Sequence, residues 1–206
     1  MNKDYSQLIE IFGSKLKSDE FLYLVNGIKP VLRQLFFEEE VEKVENFCKK
    51  ENIFIVKSSF KIIFDDSEKS FSNKGIRVNL DDNQSGARVV YLSFDERKSN
   101  LSALSELQGD DKFLGELLGY PECCINYFLE NFAENNTNPT LKNKDCKNQD
   151  SWMLDISLRE QDLAIISHFP CSWNCSKSIE IAKFRLESFK ENLSDRYLEI
   201  TELMQK

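Results

Sequence analysis

A single histidine, His168, among 206 residues excludes every mechanism that needs two imidazoles. It also excludes the catalytic zinc sites built from three histidines, or from two histidines and a carboxylate. Glycine and proline are scarce too, at seven and four, so neither a collagen-like repeat nor a Pro/Gly-rich linker architecture is present. No G-x-G-x-x-G, P-loop or G-x-S-x-G motif occurs, which removes the readily recognised nucleotide enzymes and serine hydrolases. No apolar run reaches membrane-spanning length, so no membrane partner is expected. The opening MNKDYSQLIEIFGSK lacks the basic region, apolar stretch and cleavage site of a signal peptide, and a cytoplasmic location is the expectation. Positive charge is in deficit: 27 Lys and Arg against 35 Asp and Glu give a net charge of −8. That field repels phosphate backbones, so no nucleic-acid partner is expected, while a protein or small-molecule partner stays unassigned.

The remaining composition, 41% apolar and 30% charged, is that of a globular chain long enough to bury a core without disulfide staples. The first dozen residues read as a short helix, and FLYLV (21–25) as a strand-like run stopped by Asn26-Gly27. Val41, Val44 and Cys48 form one stripe of a helix over 38–50. FIVKSSFKIIF, GIRVNL and ARVVYLSF read as three strands between polar turns. From Asn100 the pattern turns helical, with Gly119 suited to the left-handed position after a helix and Pro121 to the start of the next. SWMLDISLREQD reads as helical and LAIISHF as a strand or a buried helix end. Apolar residues at 182, 186, 189, 193, 197, 200 and 203 predict one long C-terminal helix. The expected fold is therefore α+β: a small antiparallel or mixed sheet in the N-terminal half and a mainly helical C-terminal half. Residues 1–206 read as one domain, divisible into a helix-plus-strand region (1–98) and a helical cysteine-motif region (99–206).

Chemistry concentrates in cysteine. Six cysteines in a chain expected to stay in a reducing compartment read as thiols or metal ligands before disulfides. Four of them fall in two segments of similar design, GYPECC and HFPCSWNC, each placing a proline near a helix start beside a cysteine pair. With Pro121 as the first helical residue, Cys123 and Cys124 occupy the first turn. With Ser172 as N-cap, Cys175 is the third residue and Cys171 lies just outside. Unpaired N–H groups at such ends favour the thiolate, the form that binds metal or attacks electrophiles. The spacing does not match a zinc finger, whose knuckles are C-x2-C or C-x4-C. Adjacent helical residues diverge, so either one of Cys123 and Cys124 ligates while the other packs, or both straddle a larger iron–sulfur cluster. A vicinal disulfide is disfavoured by the short span of a trans peptide, whereas a bridge between the two segments is open. His168 reads as a further ligand, a general acid/base or a group that tunes a thiol. The candidate metal residues are thus Cys123, Cys124, Cys171, Cys175 and His168, holding an iron–sulfur cluster or zinc. Two alternatives stand beside this: a metal-free thiol redox or sulfur-transfer enzyme, and a non-catalytic interaction module whose cysteines are buried packing.

LGYPECCINYF (118–128) and HFPCSWNC (168–175) resemble the LGYPxCC and HxPCSxxC signatures of a mainly archaeal domain family of unknown function. The resemblance covers about residues 110–190. It implies that Tyr120, Pro121, Cys123, Cys124, His168, Pro170, Cys171, Ser172 and Cys175 belong to one site, and it implies no activity.

Weaker signals have plainer readings. Cys48 lies on an apolar stripe and belongs to the core. Cys146 sits in the polar stretch 135–150, which reads as a surface loop and a candidate lid, and is an exposed thiol or an extra ligand. Asp65-Asp66, Asp81-Asp82 and Asp95-Glu96 stand beside turns, where acids are solvated more often than metal-bound. Trp152, Trp173, Tyr120 and Phe169 read as wall and core, with Trp173 notable for lying inside the cysteine motif.

Overall fold

The computed structural model describes residues 4–64, 75–133, 138–142 and 147–204. The chain forms two units, Met1–Tyr120 and Pro121–Lys206. The first is α+β. Helix α1 (Tyr5–Phe12) is capped by Asp4 and ends on Gly13 at φ +83°. Helix α2 (Lys15–Val25) starts where the Ser14 hydroxyl accepts the Lys17 N–H. FLYLV is therefore the last part of a helix and no strand. Its five-residue apolar run imitates a buried strand, but a Ser cap at Ser14, upstream of it, and burial of Phe21 and Leu24 at i, i+3 decide for the helix.

Strand β1 (Leu32–Phe36) was hidden from a reading of apolar runs by Arg33-Gln34 at its centre. Helix α3 (Glu38–Lys50) has acids in its first turn, and Glu40 reaches back to accept the Phe37 N–H at 2.8 Å. Strands β2 (Phe54–Phe64), β3 (Gly75–Asn79) and β4 (Ala87–Ser93) follow where expected. All pairings are antiparallel, in the order β1-β4-β2-β3. Central β4 is buried on both faces. Val90 and Leu92 pack with Leu8, Phe12, Phe21 and Val44 of α1–α3, and Val89 and Tyr91 pack with Leu114 and Leu118. Cys48 is fully buried in the first of these clusters, as expected.

Helices α4 (Glu96–Gln108) and α5 (Asp111–Leu117) complete this unit. Asp95 is the N-cap of α4, and Asp82 closes a turn by accepting the Gln84 N–H. Two of the three acidic groups thus have local structural duties, and Asp65-Asp66 lie outside the described residues. Glu106 of α4 is buried, with bidentate Arg33 at 2.5 and 2.6 Å and the Tyr91 hydroxyl at 2.7 Å. Gly119, at φ +76°, closes α5: its N–H meets the Glu116 carbonyl and that of Tyr120 meets Gly115. A Cβ there would lie 2.9 Å from Pro30 Cδ, so this turn needs glycine twice over.

The second unit opens with α6 (Glu122–Asn131) and closes with α7 (Ser176–Asn192) and α8 (Ser194–Met204). The long C-terminal helix is in fact two. The break is at Leu193, whose φ of −150° leaves the helical region while its carbonyl accepts the Tyr197 N–H of the next helix. Asn192, Ser194 and Asp195 favour helix ends over interiors and supply the reason. The apolar stripe survives the break: Ala182, Leu186, Phe189 and Ile200 are buried, while Lys183, Lys190 and Glu191 are exposed. SWMLDISLREQD forms 3₁₀ turns, Ser151–Leu154 and Ile156–Gln161. LAIISHF is neither strand nor helix. Leu163, Ala164, Ile165 and Ile166 are all buried in irregular chain.

Buried irregular backbone needs partners from elsewhere. Arg185 donates to the Ile165 carbonyl at 2.8 Å and Arg196 to that of Asp162. Thr140 donates to Pro170 at 3.2 Å and Ser151 to Trp173 at 2.8 Å. Thr140 is buried in the short turn Pro139–Lys142, so this part of the polar stretch is pinned to the unit. Cys146 lies outside the described residues. No helix among the described residues is long and apolar enough to cross a membrane.

Candidate metal centre

Two helix starts place the thiols. Pro121 is the N-cap of α6, so Cys123 and Cys124 are its second and third residues. Cys175 is itself the N-cap of α7, three positions earlier than the expected placement, and Cys171 lies in the irregular chain before it. The four sulfurs all lie within 4.8 Å of one another. Cys124 Sγ is 3.6 Å from Cys175 Sγ, and Cys123 Sγ is 3.9 and 3.8 Å from those of Cys124 and Cys175.

Both members of the adjacent pair therefore reach the group, so neither packs away from it, and they do so despite the divergence of neighbouring helical residues. The divergence holds along a helix body. In the first turn every Cα–Cβ bond tilts toward the N-terminus, so side chains can lean past the end of the backbone and converge there. Pro121, as the N-cap of α6, opens such an end for Cys123 and Cys124.

His168 is buried and stands one hydroxyl behind the sulfurs. Its Nε2 is 2.8 Å from Ser178 Oγ, which in turn lies 3.2 Å from Cys124 Sγ and 3.3 Å from Cys175 Sγ. Ser178 escaped the sequence reading, although a signal existed: it is the third residue of α7, one turn on from Cys175. The Cys171 N–H also donates to Cys124 Sγ, at 3.4 Å. Trp173 is buried, with Lys147 Nζ 3.9 Å from its ring centroid, and Phe169 stacks on Phe128 at 5.7 Å. Both are walls of the unit.

Without metal, Cys124, Cys171 and Cys175 do not share a common preference for the thiolate. A hydrogen bond from Cys124 holds Cys175 down to about 4 despite burial, with Ser178 contributing. The same hydrogen bond, from the donor's side, pushes Cys124 up, and burial adds to it. Burial first, then Cys175, push Cys171 up to about 12. The helix ends alone therefore do not lower these thiols together, since the shared hydrogen bond and burial push Cys124 and Cys171 up.

Fold and site together define an α+β protein with a four-cysteine group that can hold a metal ion. Residues 72–205 match the domain family described as a protein of unknown function, DUF483, and the chain belongs to that family. The match extends further toward the N-terminus than the two cysteine motifs. No curated protein and no solved structure matches the chain.

Proposed function

We propose that this protein binds one metal ion, zinc, through the thiolates of Cys123, Cys124, Cys171 and Cys175. The observation that carries the reading is the size of the sulfur group. A tetrahedral zinc with bonds of about 2.3 Å separates its sulfurs by about 3.8 Å; those of Cys123, Cys124 and Cys175 are 3.6, 3.8 and 3.9 Å apart, and the Cys171 sulfur lies within 4.8 Å of each. An iron–sulfur cluster interposes several irons and bridging sulfides, so its cysteines stand farther apart. Four soft thiolates in a tetrahedral set suit zinc or a single iron. Bound zinc would neutralise part of the charge of four clustered thiolates and join α6 to α7. In this reading His168 is no ligand but supports the sulfurs through Ser178. A reducing cytoplasm would keep the thiols available.

Purification without oxygen or chelator, followed by metal analysis and a visible spectrum, tests this. One equivalent of zinc in a colourless protein is the expected result. A brown protein with several irons would replace zinc by a cluster. A metal-free protein would sink the metal reading and favour thiol chemistry, which the low-lying Cys175 thiolate supports as a second reading.

A further inference from the structure

The four sulfurs differ in access and in hydrogen bonding. Cys124 and Cys175 are buried, and both touch the Ser178 hydroxyl. Cys124 also accepts the Cys171 N–H, and Cys171 is half-buried. Cys123 is exposed. Its sulfur has sulfurs as neighbours, and among the described residues no N–H or O–H donor reaches it.

On a metal this asymmetry becomes a difference in reactivity. Four thiolates on one dication leave a net charge of −2 on the centre, and hydrogen bonds to a sulfur draw off part of that charge. Cys124 and Cys175 lose nucleophilic character in this way and are shielded from solvent besides. Cys123 keeps its electron density and faces outward. We infer that Cys123 is the reactive ligand of the centre, the position at which a soft carbon electrophile is captured as a thioether. The inference rests on the metal-centre reading above.

In the capture step the Cys123 thiolate attacks the carbon that bears the leaving group. The carbon–sulfur bond forms with the sulfur's electron pair, and the leaving group departs with the pair of the bond that breaks. No proton moves and no oxidant is consumed. The charge on the centre rises from −2 to −1.

Iodoacetamide is a suitable probe, used below one equivalent at neutral pH on the full chain loaded with one equivalent of zinc. Peptide mapping then reads each cysteine separately. First labelling at Cys123, at least tenfold faster than at Cys124, Cys171 and Cys175, is the expected result, and Cys123→Ser removes this fast phase among the four. A zinc-loaded protein that labels first at Cys171, or at all four with equal rates, overturns the inference and leaves the metal reading standing. A protein that takes up no zinc overturns both.

Discussion

The two units solve the same burial problem by different means. In Met1–Tyr120 most of the buried apolar residues sit on helices and strands, whose backbones satisfy themselves, and each face of the sheet has its own cluster. In Pro121–Lys206 a run of four buried residues, Leu163–Ile166, lies in irregular chain, and side chains of Thr140, Ser151, Arg185 and Arg196 satisfy carbonyls there and nearby. The first unit is held by regular pairing and the second by individual polar stitches around four sulfurs. A metal therefore has most to contribute where regular structure has least.

The comparison is broken most directly by taking the proposed metal away. Both tryptophans, Trp152 and Trp173, belong to the second unit, so their fluorescence reads that unit alone. Metal present at a thousand times its dissociation constant stabilises by about 4 kcal/mol. Removing it with a chelator should lower the tryptophan-detected unfolding by that order and leave in place the transition of the sheet, followed by the larger part of the tyrosine absorbance, which comes from Tyr5, Tyr23, Tyr91 and Tyr120, against Tyr127 and Tyr197 of the second unit. Cys175→Ala should do the same without chelator, and adding Cys171→Ala should cost little more, because both act through one centre. Equal losses in both units would mean that the metal is not local to the second.

The sheet unit has its own weak point in Glu106. Burial raises this carboxyl's pKa, but the Arg33 charge and the hydrogen bonds of Arg33 and Tyr91 outweigh burial and leave it lowered. A lowered folded pKa gives stability that is complete above the unfolded carboxyl value of about 4.3 and is lost as pH falls through the folded one. Glu106→Gln leaves Arg33 without its counter-ion and should cost about 3 kcal/mol at neutral pH. The variant should also show less acid destabilisation of the tyrosine signal than the parent. An unchanged acid limb would remove Glu106 from the account of this unit.

How far the sequence revealed these two designs follows from the same contrast. Helix α3 and strands β2–β4 were legible because their stripes and alternations have a period, and period is what one sequence can show. Strand β1 was not, because Arg33 faces the buried Glu106 and breaks the apolar run. FLYLV misled because five apolar residues carry no period. In the second unit the two cysteine segments stood out by composition, and the grouping of Cys123, Cys124, Cys171 and Cys175 was expected from them. What could not be read was the chain between, since stitches such as Arg185 to Ile165 join residues 20 apart through tertiary contacts with no local pattern. The break at Leu193 was concealed by a stripe that runs on across it.

Those stitches are testable one at a time. Arg185 is buried, and its guanidinium meets the Ile165 carbonyl at 2.8 Å. Arg185→Leu keeps much of the apolar volume and removes the donor, so a buried carbonyl loses that bond at a cost of about 2 kcal/mol. The loss should appear in tryptophan fluorescence in both the metal-loaded and the chelated protein. A variant as stable as the parent would show that the irregular chain does not depend on this bond.

Ser178→Ala should have the smallest effect on folding and the sharpest effect on the centre. The hydroxyl has one proton and three neighbours: Cys124 Sγ, Cys175 Sγ and His168 Nε2. With both sulfurs ionised on a metal, that proton belongs to a sulfur, and the hydroxyl oxygen can meet His168 only by accepting. The imidazole of the loaded protein must then carry a proton on Nε2, a state that nitrogen NMR reads directly. Ser178→Ala removes a hydrogen bond worth about 1 kcal/mol to folding. It also withdraws the one outer-shell donor that this hydroxyl offers to its two neighbouring sulfurs, which should weaken zinc binding by about tenfold, as competition with a chromophoric chelator would measure. His168→Gln retains a side-chain N–H that can face the hydroxyl and should keep more of the affinity than His168→Ala. If Ser178→Ala binds zinc as tightly as the parent, or if the loaded His168 has no proton on Nε2, the hydroxyl does not link the imidazole to the sulfurs.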